Sequence, residues 1–387
     1  MKTAEKELIL DGHKLWLPDH RNRLLSWTAG ENIAPITIDC ALTRRCTYRC
    51  VYCYGKLQAN DEKKITKDVV FRFLDDAAEI GVRAISFVSD GESTCSPHFY
   101  DAVLRGKANG MDMAVGTNGY LLKEERLEEI LPALTYLRFN ISAAEPRRYA
   151  EIHGCDEKCF YRVIKTIRSC VEIKKRKKLN VTIGLQMVFL PAFSDQVLPL
   201  AKLGKELGVD YTIFKHCSDD ENGTLKVDYG QYHNETTVNL LKTAETLSDE
   251  KSNYSVKAKW SKIMEGNKRC YEQCFGPAFI MQFSGSGLVA PCGMLFGKDY
   301  KKYHIGNIAE QSFKEIWQSK RYREVLNLIS SERFNAKTMC GYLCLQHKVN
   351  EFLWDLKRPK GKSAENIETA LKKYDHNSSA VVHRNFI

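Results

Sequence analysis

Three cysteines in one short stretch carry the clearest chemical signal in the sequence. Cys46, Cys50 and Cys53 follow an apolar stretch that is typical of a β-strand. Thiolates at this spacing can bind three irons of a four-iron cube and leave the fourth iron without a protein ligand. An open iron implies that a small molecule binds there. A zinc site completed by Cys40 is the alternative, because structural zinc prefers four closed ligands.

A second set of cysteines lies in the C-terminal part of the chain. Its members are Cys270, Cys274, Cys292, Cys340 and Cys344. Because these thiolates are too few for two complete cubes, the segment predicts one site held by four of them. A structural zinc site is the competing interpretation, since zinc also takes four cysteines. The spacing leaves open which four bind, with Cys270 as the alternative to one of the last pair.

The composition is that of a globular protein from a reducing compartment. The chain has 387 residues, so we expect one large domain and a smaller one. Its 14 cysteines favour metal ligation over disulfide bonds in such a compartment. There is no apolar run long enough to cross a membrane, and the N-terminus lacks the apolar segment of a signal peptide. We therefore expect a cytoplasmic protein.

The net charge of +10 comes partly from local runs of basic residues. One run covers residues 174–178, and another lies after Trp354. The first run has no interleaved aromatic residues on which bases would stack, so solvated helix faces explain it better than nucleic-acid binding. An RNA-binding or RNA-modifying function is the alternative from another class.

Strand and helix patterns alternate between about residues 35 and 220. Apolar stretches rich in β-formers predict six strands, at 35–43, 82–88, 113–117, 136–142, 181–190 and 210–215. Helical periodicity follows Thr66, a plausible N-cap, and recurs at 123–131 and 194–207. Such βα repeats predict a parallel sheet with crossover helices, either a partial (βα)6 barrel or an open doubly wound sheet.

Ligands bind at the carboxyl ends of the strands in both of these architectures. The residues that follow the first four predicted strands are polar, glycine-rich or cysteine-rich. They are the three cysteines, the Asp-Gly-Glu run at 90–92, the Gly-Thr-Asn-Gly run at 116–119, and Asn140 with Ser142. The sequence therefore predicts a binding site at this edge of the sheet.

The rest of the chain predicts further segments around this core. We expect an N-terminal extension at 1–34, the core at 35–220, a connector at 221–260 with a helix at 236–247, a metal-bearing module at 261–356 with short strands at 279–283 and 288–291 and a closing helix at 345–356, and a basic tail at 357–387.

The first cysteine motif resembles that of the radical S-adenosylmethionine (SAM) enzymes, in which an aromatic residue, here Tyr52, precedes the last cysteine. The resemblance implies that a [4Fe-4S] cluster on Cys46, Cys50 and Cys53 binds SAM through its open iron. It also implies that reductive cleavage of SAM gives a 5′-deoxyadenosyl radical, which removes hydrogen from an unactivated carbon. An electron donor such as flavodoxin or ferredoxin is implied as well.

The resemblance extends to residues that bind SAM in this family. The run Asp90, Gly91 and Glu92 is similar to a Gly-Gly-Glu motif that receives the methionine amine, with Asp90 in place of the first glycine. Gly91 would let the backbone approach the ligand, and Glu92 would supply an acceptor. Asn118 belongs to an element that resembles a common one after the third strand. Ser142 matches a serine that contacts SAM in related enzymes.

The C-terminal cysteines resemble the SPASM and twitch modules, which carry auxiliary iron-sulfur clusters. Cys274, Gly287 and Cys292 fit the pattern with which these modules begin. A full SPASM module continues with more cysteines than Cys340 and Cys344. The resemblance therefore implies one auxiliary [4Fe-4S] cluster on Cys274, Cys292, Cys340 and Cys344, as in twitch modules.

The stretch before the first predicted strand is shorter than the peptide-recognition domain that many peptide-modifying relatives carry. We therefore expect the oxidation or epimerisation of a small, sugar-like metabolite. Cys217 and Cys95 are the candidate hydrogen donors for epimerisation, and inert buried cysteines are the alternative interpretation of both. A maturase that modifies a peptide or protein side chain is the alternative function.

Overall fold

The computed structural model describes residues 7–61, 63–266, 268–342, 344–357, 371 and 378–387. The strands in these residues are β1 Thr37–Cys40, β2 Ala84–Phe87, β3 Asp112–Thr117, β4 Leu134–Asn140, β5 Thr182–Phe189, β6 Tyr211–His216, β7 Ser255–Ala258, β8 Ile280–Phe283, β9 Leu288–Ala290 and β10 Gly306–Asn307. The α-helices are α1 Arg21–Thr28, α2 Lys67–Ile80, α3 Phe99–Ala108, α4 Glu124–Ile130, α5 Pro146–His153, α6 Lys158–Lys177, α7 Val197–Leu207, α8 Glu235–Glu245, α9 Trp260–Glu265, α10 Phe313–Gln318, α11 Lys320–Ile329, α12 Ala336–Met339 and α13 His347–Lys357. None of the described helices is long and apolar enough to cross a membrane.

One sheet runs through the described chain in the order β10-β9-β8-β1-β2-β3-β4-β5-β6-β7. Strands β1 to β7 are parallel and pair in chain order, which confirms the predicted partial (βα)6 barrel. Strand β8 is parallel to β1 on the other side, and β9 and β10 continue the sheet as antiparallel strands. The sheet therefore has one more parallel strand at each edge than the sequence predicts.

Strand β7 lies inside the segment that the sequence predicts to be a connector. It pairs with β6, but its four residues include a serine and the exposed Lys257. A short edge strand with one exposed face lacks the apolar run by which buried strands are found in a sequence. On the other side, β8 belongs to the predicted C-terminal module yet pairs with β1. The predicted domain boundaries stay predictions, since one sheet joins both parts.

Helix α2 shows how local sequence signals set the elements of the core. It begins at Thr66, whose hydroxyl oxygen accepts the backbone N–H of Val69 at 3.4 Å. It ends at Gly81 in the left-handed conformation, with φ of +98°. Such an N-cap contributes about 1 kcal/mol. The buried side chains of α2 recur at helical spacing and include Phe73 and Leu74, so the helix packs onto the sheet.

The amino ends of the strands are covered by the last ten residues, 378–387. The hydroxyl of Thr37 in β1 donates to the carbonyl of Asn385 at 2.5 Å, and the Asn385 side chain donates to Asp112 of β3 at 2.8 Å. Phe386 packs edge-on against Tyr136 of β4, with ring centroids 4.9 Å apart. The sequence left this segment unassigned. Most of the predicted basic tail, 358–370 and 372–377, lies outside the described residues.

Candidate active site

A cavity of about 700 Å³ lies inside the curved sheet and reaches its carboxyl end. We call this cavity the lumen. Alternate residues of the strands line it, including Asp39 of β1, Arg138 of β4, Gln186 of β5, Lys215 of β6 and Gln282 of β8. Since strands far apart in the sheet line one space, the sheet curves around it. Cys46, Cys50 and Cys53 line the carboxyl end of the lumen.

The cysteine loop, residues 41–53, packs closely against the turn after β2. Gly91 in that turn has φ of +136°, and a Cβ atom there would lie 2.2 Å from the carbonyl oxygen of Thr43. The glycine is therefore required by the backbone of the cysteine loop. Gly91 also lines the lumen, so the expectation that it allows close approach of a ligand stays a prediction. On its other side the loop pairs with the end of α5, where the N–H of Arg49 donates to the carbonyl of His153 at 3.0 Å.

His153 connects the cysteine loop to the end of β4, a role that sequence reasoning missed. Its Nε2 accepts the backbone N–H of Ser142 at 3.0 Å. Burial lowers the pKa of His153 to about 3, so the ring is neutral and its proton is on Nδ1. That Nδ1 lies 3.3 Å from the Sγ of Cys50 and 3.4 Å from the hydroxyl of Tyr52. His153 therefore donates toward a cysteine of the predicted cluster or toward the tyrosine beside it.

Glu92 is buried and joins β2 to the turn after β3. Its Oε1 accepts the N–H of Thr94 at 3.2 Å and the hydroxyls of Thr94 and Thr117 at 2.7 Å each. Its Oε2 accepts the N–H of Asn118 at 2.7 Å. Glu92 also lines the lumen. A carboxylate oxygen accepts two hydrogen bonds readily, so Oε2 keeps capacity for a ligand amine.

Asp90 is held by the protein itself. Its Oδ2 accepts from the hydroxyl of Ser284 at 2.6 Å and from Nε of Arg44 at 3.1 Å, and its Oδ1 accepts the N–H of Gly285 at 2.8 Å. Both oxygens are thus used to tie β2 to the turn after β8. In the structure the carboxylate of Asp90 anchors these turns, and the expected cofactor-binding role of Asp90, which lines the lumen, stays a prediction.

The remaining predicted SAM-binding residues lie at different depths. Asn118 lines the lumen, and its Nδ2 donates to the hydroxyl of Thr47 at 3.1 Å. Tyr52 also lines the lumen. Ser142 is fully buried behind Tyr52, donates to the tyrosine oxygen at 3.3 Å and accepts the N–H of Val188 at 3.2 Å. The hydroxyl of Ser142 thus supports Tyr52, and the expected contact of Ser142 with SAM stays a prediction.

The two predicted hydrogen donors lie outside the residues that line the lumen. Cys217 is fully buried, with its Sγ 3.8 Å from the carbonyl oxygen of Tyr52 and 3.4 Å from that of Ser218. Cys95 is half-buried in the turn after Glu92. Burial raises the pKa of Cys217 to about 12 and that of Cys95 to about 11. Both thiols keep their hydrogen at neutral pH, but neither is placed to give it to a molecule in the lumen.

Sequence reasoning missed several charged and amide side chains deeper in the lumen, namely Asp39, Arg138, Gln186, Lys215 and Gln282. A signal was present, because Arg138 and Asn140 alternate with apolar residues in a strand that was predicted to be buried. The same holds for Gln186 and for Lys215 in the next two strands. Polar residues at alternate positions of a buried parallel strand indicate a polar interior face.

A second cavity, of about 30 Å³, lies in the C-terminal part and is called the auxiliary cavity here. Cys274, Cys292, Cys340 and Cys344 all line it. Cys270 does not line it, and its Sγ lies 3.6 Å from Oε1 of Glu351 instead. The structure therefore brings together the four cysteines that the resemblance favours. The alternative ligand, Cys270, faces Glu351 instead.

Asn350 of α13 supports these cysteines. Its Oδ1 accepts the N–H groups of Phe275 and Gly276 at 2.8 Å each. Its Nδ2 lies 3.6 Å from the Sγ of Cys274 and 3.7 Å from the Sγ of Cys344. The side-chain amide of Asn350 thus directs its N–H groups at two sulfurs. Hydrogen bonds of this kind orient the thiolates that bind a metal.

Both sets of thiols suit iron-sulfur clusters. Burial and then the neighbouring Cys53 and Cys46 raise the pKa of Cys50 to about 12, and burial raises that of Cys292 to about 12. Sulfurs so close together and so protected become thiolates when a cation binds them. Cys46, Cys50 and Cys53 line a large cavity, which gives a ligand access to an iron without a protein ligand. The four C-terminal cysteines line a small cavity instead.

Three of the five cations in the basic run at 174–178 pair with acidic neighbours. The Nζ of Lys174 lies 2.5 Å from both carboxylate oxygens of Asp210, and the Nζ of Lys177 lies 2.5 Å from Oε2 of Glu128. Arg176 also contacts Glu128. These ion pairs favour the interpretation as a helix surface over a nucleic-acid site.

Comparison with known proteins agrees with the geometry of both sites. Residues 41–202 match the model of the radical SAM superfamily, and residues 274–344 match that of the SPASM iron-sulfur cluster-binding domain. The AdoMet-dependent heme synthase of Methanosarcina barkeri is 25% identical over 339 residues, which are 82% of this chain and 90% of that protein. A tungsten-containing aldehyde ferredoxin oxidoreductase cofactor-modifying protein of Pyrococcus furiosus is 24% identical over 73% of this chain and 80% of that protein.

Solved structures show the same fold. SuiB of Streptococcus suis with bound S-adenosylmethionine superposes with a TM-score of 0.60 at 16% identity, over 84% of this chain and 77% of that one. Native anSMEcpe with bound AdoMet gives a TM-score of 0.54 at 16% identity, over 88% of this chain and 95% of that one. The cofactors are a [4Fe-4S] cluster that binds SAM and an auxiliary iron-sulfur cluster. The chain belongs to the radical SAM superfamily and carries a C-terminal SPASM domain.

Proposed function

We propose that this radical SAM enzyme oxidises a small polar molecule that binds in the lumen. One observation carries the proposal: Met294, Leu345 and Gln346 line both the lumen and the auxiliary cavity. The two spaces are therefore separated by a single layer of side chains. In this proposal Cys46, Cys50 and Cys53 hold the SAM-binding cluster, and the four cysteines of the auxiliary cavity hold the other.

The bound cofactors supply a 5′-deoxyadenosyl radical that removes a hydrogen atom, and an acceptor for the electron that the substrate then loses. The chain contributes position and shielding. Glu92 and Asn118 lie at the carboxyl end of the lumen, where SAM binds in this proposal. The segment 378–387 covers the amino ends of the strands, at the opposite end of the lumen from the cysteines. Oxidation is favoured over epimerisation because Cys95 and Cys217 do not line the lumen.

The choice of a small molecule is supported by the relatives that align over most of the chain. Their names describe a heme synthase and a cofactor-modifying protein. The polar lining by Asn140, Gln186 and Gln282 suits a substrate with hydroxyl or other polar groups, of which a sugar-like metabolite is one kind. Electrons for SAM cleavage come from a flavodoxin or ferredoxin in this proposal, and Cys46 lies on the exposed side of the site.

Deuterium transfer tests the proposal directly. Cells grown in D₂O are lysed, and their extract is divided by ultrafiltration into a low-mass and a protein fraction. Each fraction is incubated with the reconstituted enzyme, SAM and reductant, and 5′-deoxyadenosine is analysed by mass spectrometry. We expect deuterium in 5′-deoxyadenosine only with the low-mass fraction, and none with the Cys50→Ala variant.

The same experiment contains its refutation. Deuterium that comes only from the protein fraction identifies the maturase alternative and overturns the small-molecule proposal. If the wild-type enzyme forms no 5′-deoxyadenosine with either fraction, hydrogen abstraction itself is wrong.

A further inference from the structure

Four of the cationic side chains that line the lumen come from β4, from β6, and from α9 with the segment that leads into it. They are Arg138 of β4, Lys215 of β6, Lys259 between β7 and α9, and Lys262 of α9. Among the described residues, the side-chain nitrogens of these four make no hydrogen bond or ion pair, and the Nε of Arg138 is buried without a partner. Groups of this kind are normally paired when they are removed from water.

The acidic groups nearby do not balance this charge. Asp39 faces the same space, and its Oδ2 accepts from Nε2 of Gln282 at 3.4 Å. Burial raises the pKa of Asp39 to about 6, so the group is mostly ionised at pH 7 and offers a single negative charge to the four cations. Asp11 lies near Lys259 and Lys262, but its carboxylate accepts from the N–H of Ser261 at 2.8 Å and from the hydroxyl of that serine.

Most other charged groups along the lumen have partners. At the carboxyl end, Asp90 and Glu92 are held by protein hydrogen bonds, whereas Arg49 lines the lumen there but is exposed to solvent. Toward the amino end, the Nζ of Lys14 donates to the carbonyl oxygen of Phe386. The unpaired cations that are not exposed to solvent are therefore confined to one part of the lumen. Burial lowers the pKa of Lys215 to about 7 and also lowers that of Lys262, which is the response of ammonium groups that lack a counter-ion.

We propose that the substrate carries an oxyanion, a carboxylate or a phosphate, that binds to Arg138, Lys215, Lys259 and Lys262. The inference rests on the proposed function, since it names the class of molecule that the lumen accepts. An oxyanion offers several acceptor atoms to these donors and supplies the missing negative charge. Held at this position, it fixes the orientation of the attached carbon chain toward the cysteine end of the lumen.

Equilibrium dialysis with the SAM-loaded holoenzyme tests the inference without turnover. The probes are labelled glutarate, labelled inorganic phosphate and, as the uncharged match of glutarate, glutaramide, all at constant ionic strength. We expect saturable binding of glutarate or phosphate, and the better of the two identifies the group. Arg138→Gln and Lys215→Gln are expected to raise its Kd at least about tenfold.

Lys257→Gln is the matched control, because Lys257 is an exposed residue of the adjacent strand β7. It is expected to leave the Kd unchanged. If Arg138→Gln or Lys215→Gln loses iron or has a lower melting temperature, Lys262→Gln in helix α9 replaces it. The same increase in Kd is expected for that variant. Equal binding of glutaramide, the absence of saturable binding by both anions, or an unchanged Kd in the folded variants overturns the inference. Hydrogen abstraction is measured separately through 5′-deoxyadenosine, so the two proposals fail independently.

Discussion

The Nδ1 atom of His153 lies 3.3 Å from the Sγ atom of Cys50. The opposite nitrogen of the ring accepts a backbone N–H from Ser142, so the proton of the neutral imidazole faces the sulfur and the hydroxyl of Tyr52. Hydrogen bonds to cluster sulfurs stabilise the reduced, more negative state and raise the reduction potential.

Replacing His153 by Phe is therefore expected to make the SAM-binding cluster harder to reduce. A net hydrogen bond of about 0.5–1.5 kcal/mol corresponds to a fall of about 20–65 mV for a one-electron couple. A redox titration followed by electron paramagnetic resonance measures the shift. The exposed His233 provides the control variant, His233→Phe, which is expected to leave the potential unchanged. A potential that does not fall in His153→Phe would show that the ring bonds only to Tyr52.

Gly91 is expected to be essential for the shape of the cysteine loop. In Gly91→Ala the new Cβ would lie 2.2 Å from the carbonyl oxygen of Thr43, so the loop must move. Gly223 also has a positive φ, +67° against +136° for Gly91, but nothing lies within 4 Å of a Cβ atom there, which makes Gly223→Ala the control without a steric clash. The control is expected to cost about 1 kcal/mol from backbone strain alone. Gly91→Ala is expected to lose a further 1–3 kcal/mol or so of stability and to bind less iron. Equal melting temperatures and iron contents in the two variants would contradict this.

The auxiliary cavity predicts which cysteines hold iron. We expect Cys274→Ala, Cys292→Ala, Cys340→Ala and Cys344→Ala each to lower the content of intact auxiliary cluster, since a cubane needs all of its thiolates. Cys270→Ala is the control, because its sulfur faces Glu351. Iron and sulfide analysis after anaerobic reconstitution gives the answer. Loss of iron in Cys270→Ala would show that Cys270 is a ligand of the auxiliary cluster. Zinc in place of iron in the wild-type protein would favour the structural zinc site.

Lys215 is expected to make stability depend on pH. Burial lowers its pKa from 10.5 to about 7, so above pH 7 the unfolded chain binds more protons at this residue than the folded protein does. The free energy of unfolding therefore rises between about pH 7 and about pH 10 because of Lys215. Below about pH 7 the buried amine is charged in the folded protein, and the full destabilisation by this charge is present. Lys215→Met is expected to stabilise the protein most near pH 6 and little near pH 10.

Urea unfolding of the anaerobic holoenzyme at several pH values measures this difference. Lys257→Met, on the exposed side of β7, is expected to show the pH dependence of the wild type. A Lys215→Met variant that is destabilised equally at every pH would mean that the amine is paired in solution.

The sequence was sufficient for the features that depend on local spacing. The intervals between Cys46, Cys50 and Cys53 restrict them to neighbouring ligands of one cluster, and alternating strand and helix patterns predicted β1 to β6. Strand β7 escaped prediction because an exposed edge strand needs no apolar run, and its place is set by pairing with β6.

The tertiary structure decided the relationships between residues far apart in the chain. Cys50 and His153 are separated by 103 positions and meet only because the cysteine loop pairs with the end of α5. The same packing turned Cys270 toward Glu351, and the curvature of the sheet brought Arg138 and Lys215 into one lumen. Sequence alone determined that Cys46, Cys50 and Cys53 can ligate one cluster, since their spacing is local. Which distant side chains surround those ligands depends on how strands and loops pack, and that was settled only in three dimensions.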